Sequence, residues 1–180
     1  MDYYVGCIPQ ETTNTCWAAS MAMLLQYLSG NSRPPASLGS SPFATAFTPR
    51  QVAERVGGVI LWAYDQNRML STDFRDNFDQ LARPWKLHPQ FNFNNQPSSE
   101  WLRLLRRFGP YFVLDSRIYF DHALIVCGIN QDQLTIVDPW PVGRGSWYTI
   151  SRRELRPTGT VIHADSDTEV VLQPTRGGGS

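Results

Sequence analysis

The sequence is short of cysteine, of net charge and of long apolar runs, and each shortage argues against a class of function. Three cysteines among 180 residues, at positions 7, 16 and 127, are an odd number with no CxxC or Cys/His ligand spacing. That argues against a disulfide framework and against structural zinc, and no other metal or cofactor is expected. Sixteen basic and 16 acidic residues cancel, which removes the field that would draw the chain to nucleic acid or to an anionic membrane. No stretch approaches the roughly 18 apolar residues of a membrane span, and the amino terminus lacks the basic-then-apolar pattern of a Sec signal. Export therefore needs another route or a removed segment. Met1 running directly into "DYYVGCIPQ" reads as the start of an excised domain, and the terminal "RGGGS" reads as linker.

A chain of 180 residues suits one domain with a sizeable core. Residues 1–176 are read as that domain and 177–180 as linker. From Cys16 to Leu28 the sequence is apolar on nearly every face, which predicts a buried helix of about three turns. Thr13, Asn14 and Thr15 are candidate caps for it, and Ser29 with Gly30 gives the stop. The turn-rich 29–47 stretch reads as an exposed loop. "TPRQVAERVGG" predicts a short helix with Thr48 as cap, Pro49 at the first position and Gly57 at the end. Residues 60–95 are aromatic without a sustained period and yield no assignment.

"PSSEWLRLLRRFG" predicts a helix capped by Ser98 or Ser99 and striped by Trp101, Leu102, Leu104, Leu105 and Phe108. Its arginines read as a solvated face. Strand patterns follow: "YFVLD", "HALIVCGI", "QLTIVDPW", "SWYTIS", then "TVIHA" and "EVVLQ". Helices before consecutive strands predict an α+β class with a mostly antiparallel sheet.

A nucleophilic thiol needs its proton drawn off, and the first turn of a helix with a histidine nearby does this. Cys16 stands at such a start, and its own N–H, with the side-chain amide of Gln10 six residues earlier, could hold an oxyanion. Alone, Cys16 reads as a packing residue, since free cysteine is commonly buried. The candidate base is one of three histidines. His88 shows no orienting partner, and His163 with Asp165 is the weaker rival. His122 opens one strand and Asp138 closes the next, and diagonal neighbours on one face of a hairpin lie about 7–8 Å apart. Those two share a face only if the turn around Gln131 is odd in length or the hairpin carries a bulge. Asp121, adjacent to His122, points the other way. Cys127 reads as a strand core residue, Cys7 as a packing thiol and Trp17 as a core aromatic.

"QETTNTCWAAS", "DHALIVCGINQDQLTIVDPWP" and the spacing between them resemble the papain-like cysteine proteases. The likeness is strongest to the secreted avirulence proteases of plant-pathogenic bacteria and looser to the peptidase domains that trim bacteriocin leaders. It implies a helical half and a sheet half with the site between them. It further implies Cys16 as nucleophile, His122 as general base and acid, Asp138 as orienter of His122, and Gln10 with the Cys16 N–H as oxyanion donors. Trp140 would shield the His122 to Asp138 bond.

The expected activity is endopeptidase action on a protein in a target cell, by a bacterial effector or toxin that acts in that cell's cytoplasm. A cognate immunity or inhibitor protein would be a further partner. Alternatives are a glutamine or asparagine deamidase or transglutaminase, a peptidoglycan peptide hydrolase, and an inert binding module.

Overall fold

The protein is described from a computed structural model, over residues 1–30, 47–70, 75–93, 96–115, 121–155, 157–165 and 168. Most of the 29–47 loop and all of "EVVLQ" lie outside those residues. Five α-helices are described: α1 (Cys16–Leu28), α2 (Pro49–Val56), α3 (Gly58–Asp65), α4 (Arg75–Ala82) and α5 (Ser98–Phe108). Six strands accompany them: β1 (His88–Gln90), β2 (Tyr111–Asp115), β3 (His122–Asn130), β4 (Gln133–Asp138), β5 (Ser146–Ser151) and β6 (Pro157–His163). All strand pairs are antiparallel, in the order β1-β6-β2-β3-β4-β5. The α+β expectation holds, with one addition: the unassigned middle supplies α3, α4 and the edge strand β1.

The sheet lies between two apolar layers. On one face Phe112, Leu114, Ala123, Ile125 and Val137 pack against α1 and the helices around it. On the other, Val113, Leu124, Val126 and Ile136 pack against Trp101, Leu104 and Leu105 of α5. Seven successive residues of β3 are buried, because a strand covered on both faces reads as a continuous apolar run. α1 is buried from Cys16 through Gln26, so the helix behind the thiol is a fixed part of the core.

Local chemistry sets the helix ends. Thr48 accepts from the Gln51 N–H, and the Gln51 side chain accepts from the Thr48 N–H, a complete capping box with Pro49 behind it. Gly57, at φ 72°, ends α2 in a conformation that favours glycine. The Ser98 expectation needs correction. Pro97 is the cap residue without a capping side chain, and the Ser98 hydroxyl instead meets Asp132 at 2.7 Å.

The β3–β4 hairpin resolves the register question by the bulge. Asn130 pairs with Gln133, leaving a two-residue turn of Gln131 and Asp132, with Gln131 at φ 54°. An even turn alone would put His122 and Asp138 on opposite faces. The register shifts between Val126 and Gly128, so that Cys127 is the extra residue and Ile125 then pairs with Val137. Leu124 then falls opposite Asp138, and His122, two residues before Leu124, is the diagonal neighbour of Asp138 on the same face.

Candidate active site

Cys16 is the first residue of α1 and 1% exposed. Its sulfur accepts from the Ala123 N–H of β3 at 3.4 Å and lies 3.5 Å from the Met69 sulfur. A contact that crosses from helix to strand brings the thiol beside His122. Thr15 precedes it in the cap position but makes no side-chain cap bond. Its hydroxyl instead pairs with Thr12, 3.0 Å from the Thr12 hydroxyl and 3.3 Å from the Thr12 carbonyl. The first N–H groups of α1, which a capping side chain would occupy, therefore keep no cap bond.

His122 Nε2 lies 2.6 Å from Asp138 Oδ1, with both side chains largely buried. Burial pulls the imidazole pKa down, but hydrogen bonding to Asp138 and to Cys16, with the charges of both, outweighs it and raises the value to about 10. Since Nε2 is spent on Asp138, the other ring nitrogen is the one left for the thiol. Asp138 is 6% exposed. Burial opposes its charge, yet His122, the Trp140 N–H and the Tyr148 hydroxyl together hold its pKa below the usual carboxylate value. The Trp140 N–H reaches Oδ1 at 2.8 Å and the Tyr148 hydroxyl reaches Oδ2 at 2.7 Å. A carboxylate with three donors is fixed in place and kept ionised. The arrangement can deprotonate a thiol and carry its proton on a held imidazole.

Gln10 is fully buried, and its backbone ties the first segment to the loop after Asp138: its N–H donates to the Pro139 carbonyl at 3.1 Å and its carbonyl accepts from Gly143 at 3.0 Å. Its amide nitrogen donates to the carbonyls of Thr12 at 2.7 Å and Thr13 at 3.0 Å, while Oε1 has no partner. Both amide protons are thus engaged within the loop. The loop after β4 also depends on Gly145, at φ 65°, where a Cβ would collide with the Cys7 sulfur. Trp140 is 48% exposed and reaches Asp138 through its backbone N–H.

The other candidates lie elsewhere. His88 does have an acidic partner: Nε2 is 3.3 Å from Asp165 Oδ2. Asp165 had been paired by sequence with His163, whose Nδ1 instead meets the Ala164 carbonyl at 2.6 Å while its ring stacks on Phe108. Both histidines sit on β1 and β6, at the sheet end away from β4 and β5. Asp121 lies in the loop before β3, partly exposed. Cys127 is buried at the bulge with its thiol pushed up to about 12 by burial, and burial likewise raises the half-buried Cys7 to about 11. Neither thiol has an imidazole partner among the described residues. No group of three or more His, Cys, Asp or Glu side chains suited to a metal ion occurs among the described residues, and no helix there is long and apolar enough to cross a membrane.

Sequence reasoning missed Tyr148 and Met69. Tyr148 alternates correctly to share Asp138's face across the β4–β5 ladder, a signal that strand register would have carried. Met69 comes from the middle region that lacked any period.

A family model described as papain-like cysteine protease AvrRpt2 matches residues 3–151. No curated protein matches the sequence. Among solved structures, the chain is similar to the peptidase domain of Streptococcus ComA, a bi-functional ABC transporter involved in a quorum sensing pathway. That likeness has a TM-score of 0.57 at 15% identity and covers 91% of this chain and 99% of that one. Such identity speaks for the fold alone.

Proposed function

Because the chain belongs to the papain-like cysteine protease family of AvrRpt2, we propose that it is an endopeptidase working through Cys16, His122 and Asp138. The observation that carries the reading is a single buried imidazole engaged by Asp138 at 2.6 Å on one side and by the Cys16 thiol on the other. Cys16 gives its proton to His122 and attacks the scissile carbonyl. The Cys16 N–H, uncapped at the start of α1, and Gln10 hold the resulting oxyanion. Gln10 does so by releasing one of its bonds to the Thr12 and Thr13 carbonyls when substrate arrives. Collapse of the intermediate transfers the proton from His122 to the leaving amine and leaves a Cys16 thioester. Water, deprotonated by His122, then releases the acid and the free thiol. Asp138 keeps the imidazole in the orientation that serves both transfers.

The substrate is a protein in a target cell, and the chain acts there as a secreted bacterial effector or toxin, with a cognate immunity or inhibitor protein as its natural counterpart. The family's avirulence proteases support this setting. Incubating a target-cell lysate with the protein and reading the products by mass spectrometry tests the reaction class. New chain termini are expected. Intact proteins that gain only the mass of an amide turned into an acid would replace the endopeptidase by a glutamine or asparagine deamidase.

A further inference from the structure

We propose that Asn67, in the turn after α3, is a positioning residue for the nucleophile, holding from outside the loop that presents Cys16. The proposal rests on reading Cys16 as the nucleophile. α3 ends with the Arg68 N–H on the Ala63 carbonyl at 2.8 Å and the Asn67 N–H on the Tyr64 carbonyl at 3.0 Å. This is the Schellman pattern, whose residue after the cap adopts the left-handed conformation and is usually glycine. Asn67 occupies that place at φ 50°. For the backbone alone glycine would serve with less strain, so the side chain needs a reason.

The reason is 53 residues back in the chain. Asn67 Oδ1 accepts from the Asn14 N–H at 3.0 Å, Asn67 Nδ2 donates to the Thr13 hydroxyl at 3.3 Å, and the Asn67 carbonyl accepts from Asn14 Nδ2 at 2.9 Å. The neighbouring residues extend the grip. The Arg68 carbonyl accepts from the Trp17 indole at 3.1 Å, Met69 lies against the Cys16 sulfur, and the Tyr64 hydroxyl donates to Glu11. Helix starts are ordinarily held by their own cap side chain, which occupies the first N–H groups. α1 does without one, so its start has to be held from elsewhere. Asn67 bonds Asn14 and Thr13, just ahead of Cys16, and fixes that start. A nucleophile displaced by about an ångström loses up to a hundredfold in rate.

The test compares wild type with Asn67→Gly, Asn67→Asp and Asn14→Ala. Asn67→Gly keeps the left-handed turn and removes only the side chain's bonds. Asn67→Asp keeps the acceptor for the Asn14 N–H. Asn14→Ala removes only the bond from its amide to the Asn67 carbonyl and leaves both Asn67 side-chain bonds in place. Each variant is treated with iodoacetamide, and labelling is resolved by peptide mass at Cys16, with Cys7 as reference. Cleavage of a proteome-derived peptide library and the melting temperature are measured alongside.

For Asn67→Gly, Cys16 labelling and cleavage are expected to fall together by about tenfold at the wild-type melting temperature, with Cys7 labelling unchanged. Asn67→Asp is expected to recover part of the loss, and Asn14→Ala, which keeps both Asn67 side-chain bonds, to fall less than Asn67→Gly does. Wild-type labelling in Asn67→Gly would overturn the proposal, as would losses that only follow lowered melting temperatures across the set. The labelling arm needs no substrate and reports on Asn67 whatever the reaction is. Undiminished cleavage by Cys16→Ala would instead end the nucleophile reading.

Discussion

Asp138 is the residue whose surroundings make the sharpest demands. Three donors converge on it, from His122, Trp140 and Tyr148, and a carboxylate that fixes the tautomer of a catalytic imidazole controls up to about ten-thousandfold in turnover. Asp138→Asn is expected to lower the turnover rate by up to about that factor, measured on the peptide library at fixed enzyme concentration. Tyr148→Phe removes a donor to an ionised carboxylate and should cost about 1.5–3 kcal/mol of stability, read from denaturant unfolding, with a smaller effect on turnover than Asp138→Asn. The pair also has a pH signature. Asp138 is held below its ordinary 3.8, so its stabilisation is present above that value and is lost as pH falls through the lower folded value. His122 is raised from 6.5 to about 10, so its contribution is full below 6.5 and is lost as pH climbs toward 10. The stability gap between wild type and Asp138→Asn should thus be widest between 3.8 and 6.5 and narrow on both sides. A gap that failed to shrink either below 3.8 or as pH climbs toward 10 would contradict the charged pair.

Elements differ in how far their own residues determine them. α2 carries a complete start and stop signal, so Thr48→Ala, which breaks an exposed capping box, should cost about 1 kcal/mol in a thermal or denaturant melt and leave turnover unchanged. α1 is set by its apolar run, and its bounds could be read from Cys16 to Leu28 without the fold. The β3–β4 hairpin could not be settled in that way. Its strands are legible, but the turn Gln131-Asp132 and the bulge at Cys127 are alternatives that only the ladder decides, because a one-residue slip changes faces without changing composition. α3, α4 and β1 escaped reading for another reason. Each has between three and eight residues, too short for a period to emerge, and α3 is held by tertiary packing of Ile60, Ala63 and Tyr64.

At the scale of the whole molecule, the site exists because two halves far apart in sequence share one apolar face of the sheet. α1 packs on Ala123 and Ile125, which places Cys16 beside the start of β3, while Gln10 is bonded to the loop that follows Asp138. That Cys16, His122 and Asp138 belong together could be read from residue types and order, and the fold brings them near one another. The clamp by Asn67 and Met69 was not legible, since no local pattern marks a side chain that acts 53 residues away. The central claim is that Cys16 forms the covalent link to substrate, and N-terminal labelling of a target-cell lysate treated with wild type or Cys16→Ala tests it most directly. The account predicts new termini in the wild-type digest that vanish in the variant while the fold, checked by circular dichroism, persists. The same termini appearing with Cys16→Ala would contradict it.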